Sequence, residues 1–193
     1  MKTYLNKIMK VLEALKNSPR TGWVQRGVPS CIAETIASHM YETALLCLVI
    51  GYELIRLRVI EEKTLLNSLA IVIIHGVPEA IVGDINKIVS EEIGELKNHI
   101  EIKALETIDS EIITSFYKRY RETNSTEAIL AHICDKLATY AQAIRYFAIG
   151  YDVRDIINSS REDLTKLIKI LCSEEQCYNK LFKLIEELRI SYR

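Results

Sequence analysis

The chain has 193 residues, 49% hydrophobic and 26% charged, and its 25 Lys and Arg nearly balance 26 Asp and Glu for a net charge of -1. A chain of this length buries roughly 70% of its unfolded surface, so its core needs neither a disulfide framework nor a structural metal. Near-neutral charge excludes a general electrostatic attraction to nucleic acid or anionic lipid, and recognition has to be local.

Three Pro and seven Gly are all that interrupt the sequence, and apolar residues recur at three and four, which predicts an all-α chain of about six or seven helices. The first helix is expected over 3–16, stopping at Asn17-Ser18-Pro19 because Pro disfavours a helical residue before it. Its alternation of apolar and charged residues lacks the apolar stretch and cleavage site of a secretory signal. No uninterrupted apolar run approaches the ~20 residues of a membrane helix, and the expectation is a cytoplasmic protein. A loop follows over 20–29, then a long helix over 30–58 with Ile32, Ile36, Met40, Cys47 and Leu54 on one stripe. The segment 65–75 is apolar on nearly all sides, which predicts the central, fully buried helix. Pro78 breaks the chain after His75, and Gly83 marks the next turn.

Further helices are expected over 90–107, 110–121, 125–148 and 161–188, the third of these capped from Asn124-Ser125-Thr126. No repeat or Pro/Gly/Ser linker divides the chain, so 1–193 reads as a single domain. Cys172 and Cys177, five apart on one expected helix, fall on different faces and predict neither a local disulfide nor a metal clip. Cys31, Cys47 and Cys134 read as buried thiols. The wealth of Ile, Lys and Glu suits a thermophile, in which intracellular disulfides do occur.

Three polar residues occupy positions where a purely structural helix favours apolar ones. His39 borders the packed face defined by Ile36, Thr43 and Leu46, as a ligand or as a hydrogen-bonded core residue. His75 closes the apolar LAIVIIHG, where a neutral imidazole needs partners for both nitrogens. Asp135 lies on a stripe of small residues, Ala128, Ala131 and Ala138, that admits a neighbouring helix; a buried carboxylate there requires a metal, an Arg or a Lys. Glu79 and Asp84 follow His75 on a segment pinned by Pro78 and Gly83, and read either as site carboxylates or as a first-turn acid and a helix cap. Two imidazoles and a carboxylate from three helices make a mixed N/O site for a divalent ion. His99 and His132 read as surface or boundary residues, and the Tyr-rich segments 116–120 and 140–151 as core and dimer-contact material.

In order and spacing, RTGWVQRGV, ETIASHMYETALL, HGVPEAIVGDI and AILAHICDKLATYAQAIRYFA resemble the HD-domain metal-dependent phosphohydrolases, in their 5′-deoxynucleotidase branch, over 20–150. The resemblance implies an all-α HD-domain helical bundle around a buried metal centre, assembled as a homodimer. It implies one divalent ion (Co, Mn, Mg, Zn or Fe) held by His39, His75 and Asp135, with Glu79 and Asp84 beside the reacting water and the phosphate. Arg20 then holds the substrate phosphate, and Trp23 packs on sugar or base. The implied reaction is hydrolysis of nucleoside 5′-monophosphates, deoxyribonucleotides foremost, by a metal-activated water.

One departure stands out: where the family has His-Asp, this chain has His75-Gly76. The centre is left with three protein ligands, a number that catalytic metals commonly have. Two readings follow, a working three-ligand phosphomonoesterase and a catalytically degenerate nucleotide-binding or scaffold protein. Neither a basic stripe nor a hydrophobic surface helix marks a nucleic-acid or membrane partner.

Overall fold

The helical periodicity is realised as eleven helices and no named strand among the described residues, 2–191, of a computed structural model. Eleven exceeds the six or seven expected because two predicted helices are each divided and the short α2 and α5 are added; eight of the helices exceed ten residues. The core axis is α9 (Thr126–Ala148), whose N-cap Ser125 accepts the Ala128 N–H at 3.3 Å. Its buried Ala128, Ala131, Ala138 and Ala141 let neighbours approach closely, and it packs against α3 (Ile36–Arg56), α4 (Glu62–Ile74), α8 (Glu111–Arg121), α10 (Arg154–Leu171) and α11 (Glu175–Ser191).

That arrangement corrects the expectation for 65–75. Only one face of α4 is buried, through Leu65, Ser68, Ile71 and Val72, whereas Leu66 and Ile73 are 59% and 55% exposed. An apolar circumference measures what a helix tolerates, and α4 lies beside the axis instead of along it. The stretch Glu62–Val82 also reaches the length and mean hydropathy of a membrane span, which counting uninterrupted apolar residues misses. Here it is divided between α4, a turn through Gly76 to Pro78, and the short α5 (Glu79–Val82).

At the amino-terminal end, α1 (Lys2–Asn17) stops before Pro19 as expected. The short α2 (Thr21–Val24) occupies part of the predicted loop. The long helix starts at Ile36, not at 30: Thr35 accepts the Ser38 N–H at 3.1 Å, and Glu34 C=O accepts the Arg20 N–H at 2.9 Å. These contacts and the Pro19–Thr35 bridge bind 30–35 to the preceding loop, outside the helix.

The expected helix over 90–107 is divided by Gly94, at φ +47°, into α6 (Lys87–Ile93) and α7 (Glu95–Ile108). The last expected helix is likewise two, α10 and α11. Because the chain turns between them, Cys172 and Cys177 meet in a disulfide with their Cα atoms 5.5 Å apart, overturning the expectation based on one continuous helix. Cys47 and Cys134 are buried as expected, but Cys31 is exposed in the turn before α3. Tyr117, Tyr140 and Tyr146 are core residues.

Candidate metal centre

Three helices converge on one buried point. His39 lies in the first turn of α3, fixed by the Thr35 cap; His75 is the C-cap of α4; Asp135 lies midway along α9. One ligand atom from each falls within 4.8 Å of the other two. His39 Nε2 is 2.9 Å and His75 Nε2 is 3.9 Å from the same oxygen, Asp135 Oδ1. Metal–ligand bonds of about 2.0–2.2 Å place ligand atoms about 3–3.5 Å apart, so a small closure suffices to hold an ion.

The hydrogen-bond chemistry fits a cation. His75 Nδ1 donates to Val72 C=O at 2.6 Å, which leaves the lone pair of the neutral ring on Nε2, the atom nearer Asp135. Burial holds this imidazole in its neutral form, pushing its pKa below the usual histidine value. Burial, with Arg20 alongside, pushes His39 down to about 3. For Asp135 burial acts upward, but the His39 hydrogen bond and the nearby Lys136, His39 and His75 outweigh it and keep the carboxyl well below its usual range. Its second oxygen accepts the Tyr120 hydroxyl at 3.1 Å. A permanently ionised carboxylate beside two neutral imidazoles is a donor set for a divalent ion.

Arg20 adjoins this cluster. Its Nη1 lies 3.1 Å from His39 Nδ1, 3.2 Å from Thr139 Oγ1 and 3.3 Å from Glu34 Oε2. Burial alone lowers an arginine pKa, but Glu34, Asp135, Asp84 and Glu79 together raise it, Glu34 in direct contact. Glu79 opens α5 and is half-buried. Desolvation, with Asp84 nearby, pushes its carboxyl up to about 8, so it carries its proton at neutral pH. Asp84 does not cap the helix that follows it, where Asn86 serves. Its Oδ2 accepts the Thr21 hydroxyl at 2.8 Å and the Thr21 N–H, tying α2 to the segment after His75.

At Gly76 the space an aspartate needs is filled. A Cβ there would lie 2.8 Å from Met40 Sδ and 3.0 Å from Ile36 Cγ2. A side chain at 76 therefore requires Met40 and Ile36 to give way.

The structure thus brings together His39, His75, Asp135 and Arg20, with Glu79 and Asp84 beside them. Trp23, expected at the substrate, is instead a core residue only 2% exposed, its ring 5.2 Å from that of Tyr146 and its N–H donating to Glu34 Oε2 at 2.9 Å. An indole enclosed in this way offers no face to a ligand. The sequence reading passed over Glu34, Tyr120 and Thr139. Glu34 and Thr139 lie within the segments ETIASHMYETALL and AILAHICDKLATYAQAIRYFA and Tyr120 lies outside them, but what defines all three is contact across 14 to 119 positions. His99 is exposed, and His132 is a half-buried boundary residue bonded to Tyr120 C=O at 2.8 Å.

Comparison with known proteins agrees with this geometry. The chain is 28% identical over 152 residues to the 5′-deoxynucleotidase HDDC2 of Dictyostelium discoideum, covering 76% of this chain and 78% of that protein. It is 29% identical over 148 residues to the 5′-deoxynucleotidase hdd1 of Schizosaccharomyces pombe, covering 70% and 68%. A solved structure of a conserved hypothetical protein from Pyrococcus furiosus superposes with a TM-score of 0.79 at 31% identity, over 96% of this chain and 98% of that one. The family model described as HD domain matches residues 12–180, and the chain belongs to the HD domain family.

Proposed function

We propose that the chain is a metal-dependent phosphohydrolase that removes the phosphate from nucleoside 5′-monophosphates, with deoxyribonucleotides preferred. The observation that carries this reading is the buried His39, His75 and Asp135 cluster with the Arg20 guanidinium against it. The relatives named 5′-deoxynucleotidase supply the substrate class. When bound by the three side chains, a divalent ion (Co, Mn, Mg, Zn or Fe) supplies positive charge to the phosphoryl group and acidifies water.

The chain's own residues do the rest. Asp135 stays ionised as the charged member of the ligand set, and before an ion is bound it orients the His39 ring through the 2.9 Å bond. Arg20, a planar cation with paired donors, offsets the phosphate charge. Glu79, protonated at neutral pH, donates its proton to the departing 5′ oxygen. Asp84 holds the α2 loop, and with it Arg20, against the segment that carries Glu79. The exposed stripe Tyr41, Leu45, Leu48 and Tyr52 on α3 supports a homodimer as the assembly.

The deciding experiment is phosphate release from deoxy- and ribonucleoside 5′-monophosphates by metal-stripped protein, resupplied separately with Co²⁺, Mn²⁺, Mg²⁺ and Zn²⁺. Metal-dependent turnover that favours deoxy substrates is expected. Gly76 in the place of the doublet aspartate favours one second reading, a nucleotide-binding protein without turnover. Saturable nucleotide binding with no phosphate release under any metal would select it.

A further inference from the structure

Glu34 has no assigned part, yet its buried carboxylate touches both the arginine and a histidine of the centre. Its side chain is 5% exposed. Oε2 accepts from Trp23 Nε1 at 2.9 Å and from Arg20 Nη1 at 3.3 Å, while Oε1 lies 3.9 Å from His39 Nδ1. Its backbone N–H donates to the Tyr146 hydroxyl at 2.7 Å, and its C=O accepts the Arg20 N–H at 2.9 Å. Burial makes this carboxylate costly to ionise, and Arg20 and Trp23 offset part of that cost.

The tautomer of His39 shows what Glu34 does. A guanidinium only donates, so Arg20 Nη1 at 3.1 Å requires a lone pair on His39 Nδ1, and the single hydrogen of the neutral ring lies on Nε2, donating to Asp135 Oδ1 at 2.9 Å. An ion held by His39 Nε2 needs the lone pair on that atom. The ring hydrogen then belongs on Nδ1, where Arg20 can no longer donate and the facing acceptor is Glu34 Oε1. Histidine ligands generally present their second nitrogen to a carboxylate in this manner.

We infer that Glu34 is a positioning residue: it accepts the Nδ1–H of His39 when Nε2 is committed to a metal ion, and the same carboxylate retains Arg20 once its bond to His39 is lost. Filling the metal site thereby redirects the guanidinium from the His39 ring. The inference rests on the proposed metal centre.

The direct test needs no variant. Nitrogen-15 shifts and long-range couplings of the histidine rings, recorded before and after Zn²⁺ is added to the full chain, report the His39 tautomer. Nε2–H without metal and Nδ1–H with it are expected; Nδ1–H in both states would overturn the inference. The second test is Co²⁺ affinity by titration calorimetry. Glu34→Gln is expected to bind about 10- to 100-fold more weakly while melting cooperatively, with Glu34→Asp, which keeps the charge, between it and wild type. Tyr146→Phe, which disturbs the same loop without touching the carboxylate, keeps wild-type affinity. Equal affinities in wild type and Glu34→Gln would overturn the role of Glu34 alone. A wild-type chain that binds no Co²⁺ would overturn the metal-centre reading, and this inference with it.

Discussion

Arg20 Nη1 stands 3.1 Å from His39 Nδ1, so the cation assigned to the substrate phosphate donates to the ring assigned to the metal. Ion site and phosphate site share one hydrogen bond across 19 positions of chain, and a change at either is felt at the other.

Replacing Arg20 by Lys keeps the charge but removes the planar guanidinium, whose Nη1 reaches Glu34, His39 and Thr139 and whose other nitrogens are left to pair with a phosphate. KM for a nucleoside 5′-monophosphate is expected to rise about 10-fold or more. Steady-state kinetics at saturating metal measure it, and an unchanged KM would remove Arg20 from the phosphate site.

Asp135→Asn removes the ionised member of the ligand set and leaves an amide against His39 and Tyr120. Metal content by mass spectrometry is expected to fall below stoichiometry and turnover to be lost. The apo fold loses about 1–3 kcal/mol in chemical denaturation, since one buried partner is left poorly matched.

Gly76→Asp supplies a fourth ligand, the second carboxylate of the set, but forces it on Met40 and Ile36. The single variant is expected to lose about 1–3 kcal/mol of stability through overpacking. Combining it with Met40→Ala makes room, and the double variant is expected to bind Co²⁺ more tightly than wild type. Thermal melts and calorimetry on both variants check this; tighter binding by the single variant at full stability would show that Met40 yields freely.

Glu79 provides a pH signature. Its folded pKa, about 8, lies above the ordinary carboxyl value of 4.5, so its contribution to stability is fully present below pH 4.5 and is lost as pH rises toward 8. Glu79→Gln does not titrate, and its stability relative to wild type should therefore rise across that window. A gain of about 2 kcal/mol is expected, less than half of the full linkage value because water screens a half-buried group. Urea denaturation at pH 5 and pH 8 measures it; a pH-independent difference would place the Glu79 pKa near its ordinary value.

Reducing the Cys172–Cys177 disulfide opens only a short loop, separation 5. A loss of about 2 kcal/mol is expected, with the site geometry untouched because α10 and α11 supply none of its residues. Denaturation with and without reductant, followed by metal titration of the reduced protein, tests both parts.

Much of this protein was legible in the order of its residues. Pro19, the Ser125 cap and Pro78 end or begin helices through their own backbone and side-chain chemistry, and the structure places those boundaries within about one residue of expectation. His39, His75 and Asp135 announced themselves as polar groups in apolar surroundings, where burial demands a partner. Gly94 was a visible signal left unused, and its positive φ divides a helix that periodicity alone continues.

What the tertiary structure decided depends on which helices touch. That α9 and not α4 forms the axis follows from small residues fitting several neighbours at once, whereas an apolar surface only permits burial. That Trp23 is enclosed, and that Glu34 ties it to Arg20 and faces His39, follows from a loop bound back on itself by Pro19, Thr35 and Tyr146. Local sequence sets helix ends and the chemical character of each side chain, because those depend on neighbours within about four residues. Which carboxylate meets which cation is settled only by packing, which brings distant positions within hydrogen-bond reach in a medium that leaves no buried charge unpartnered.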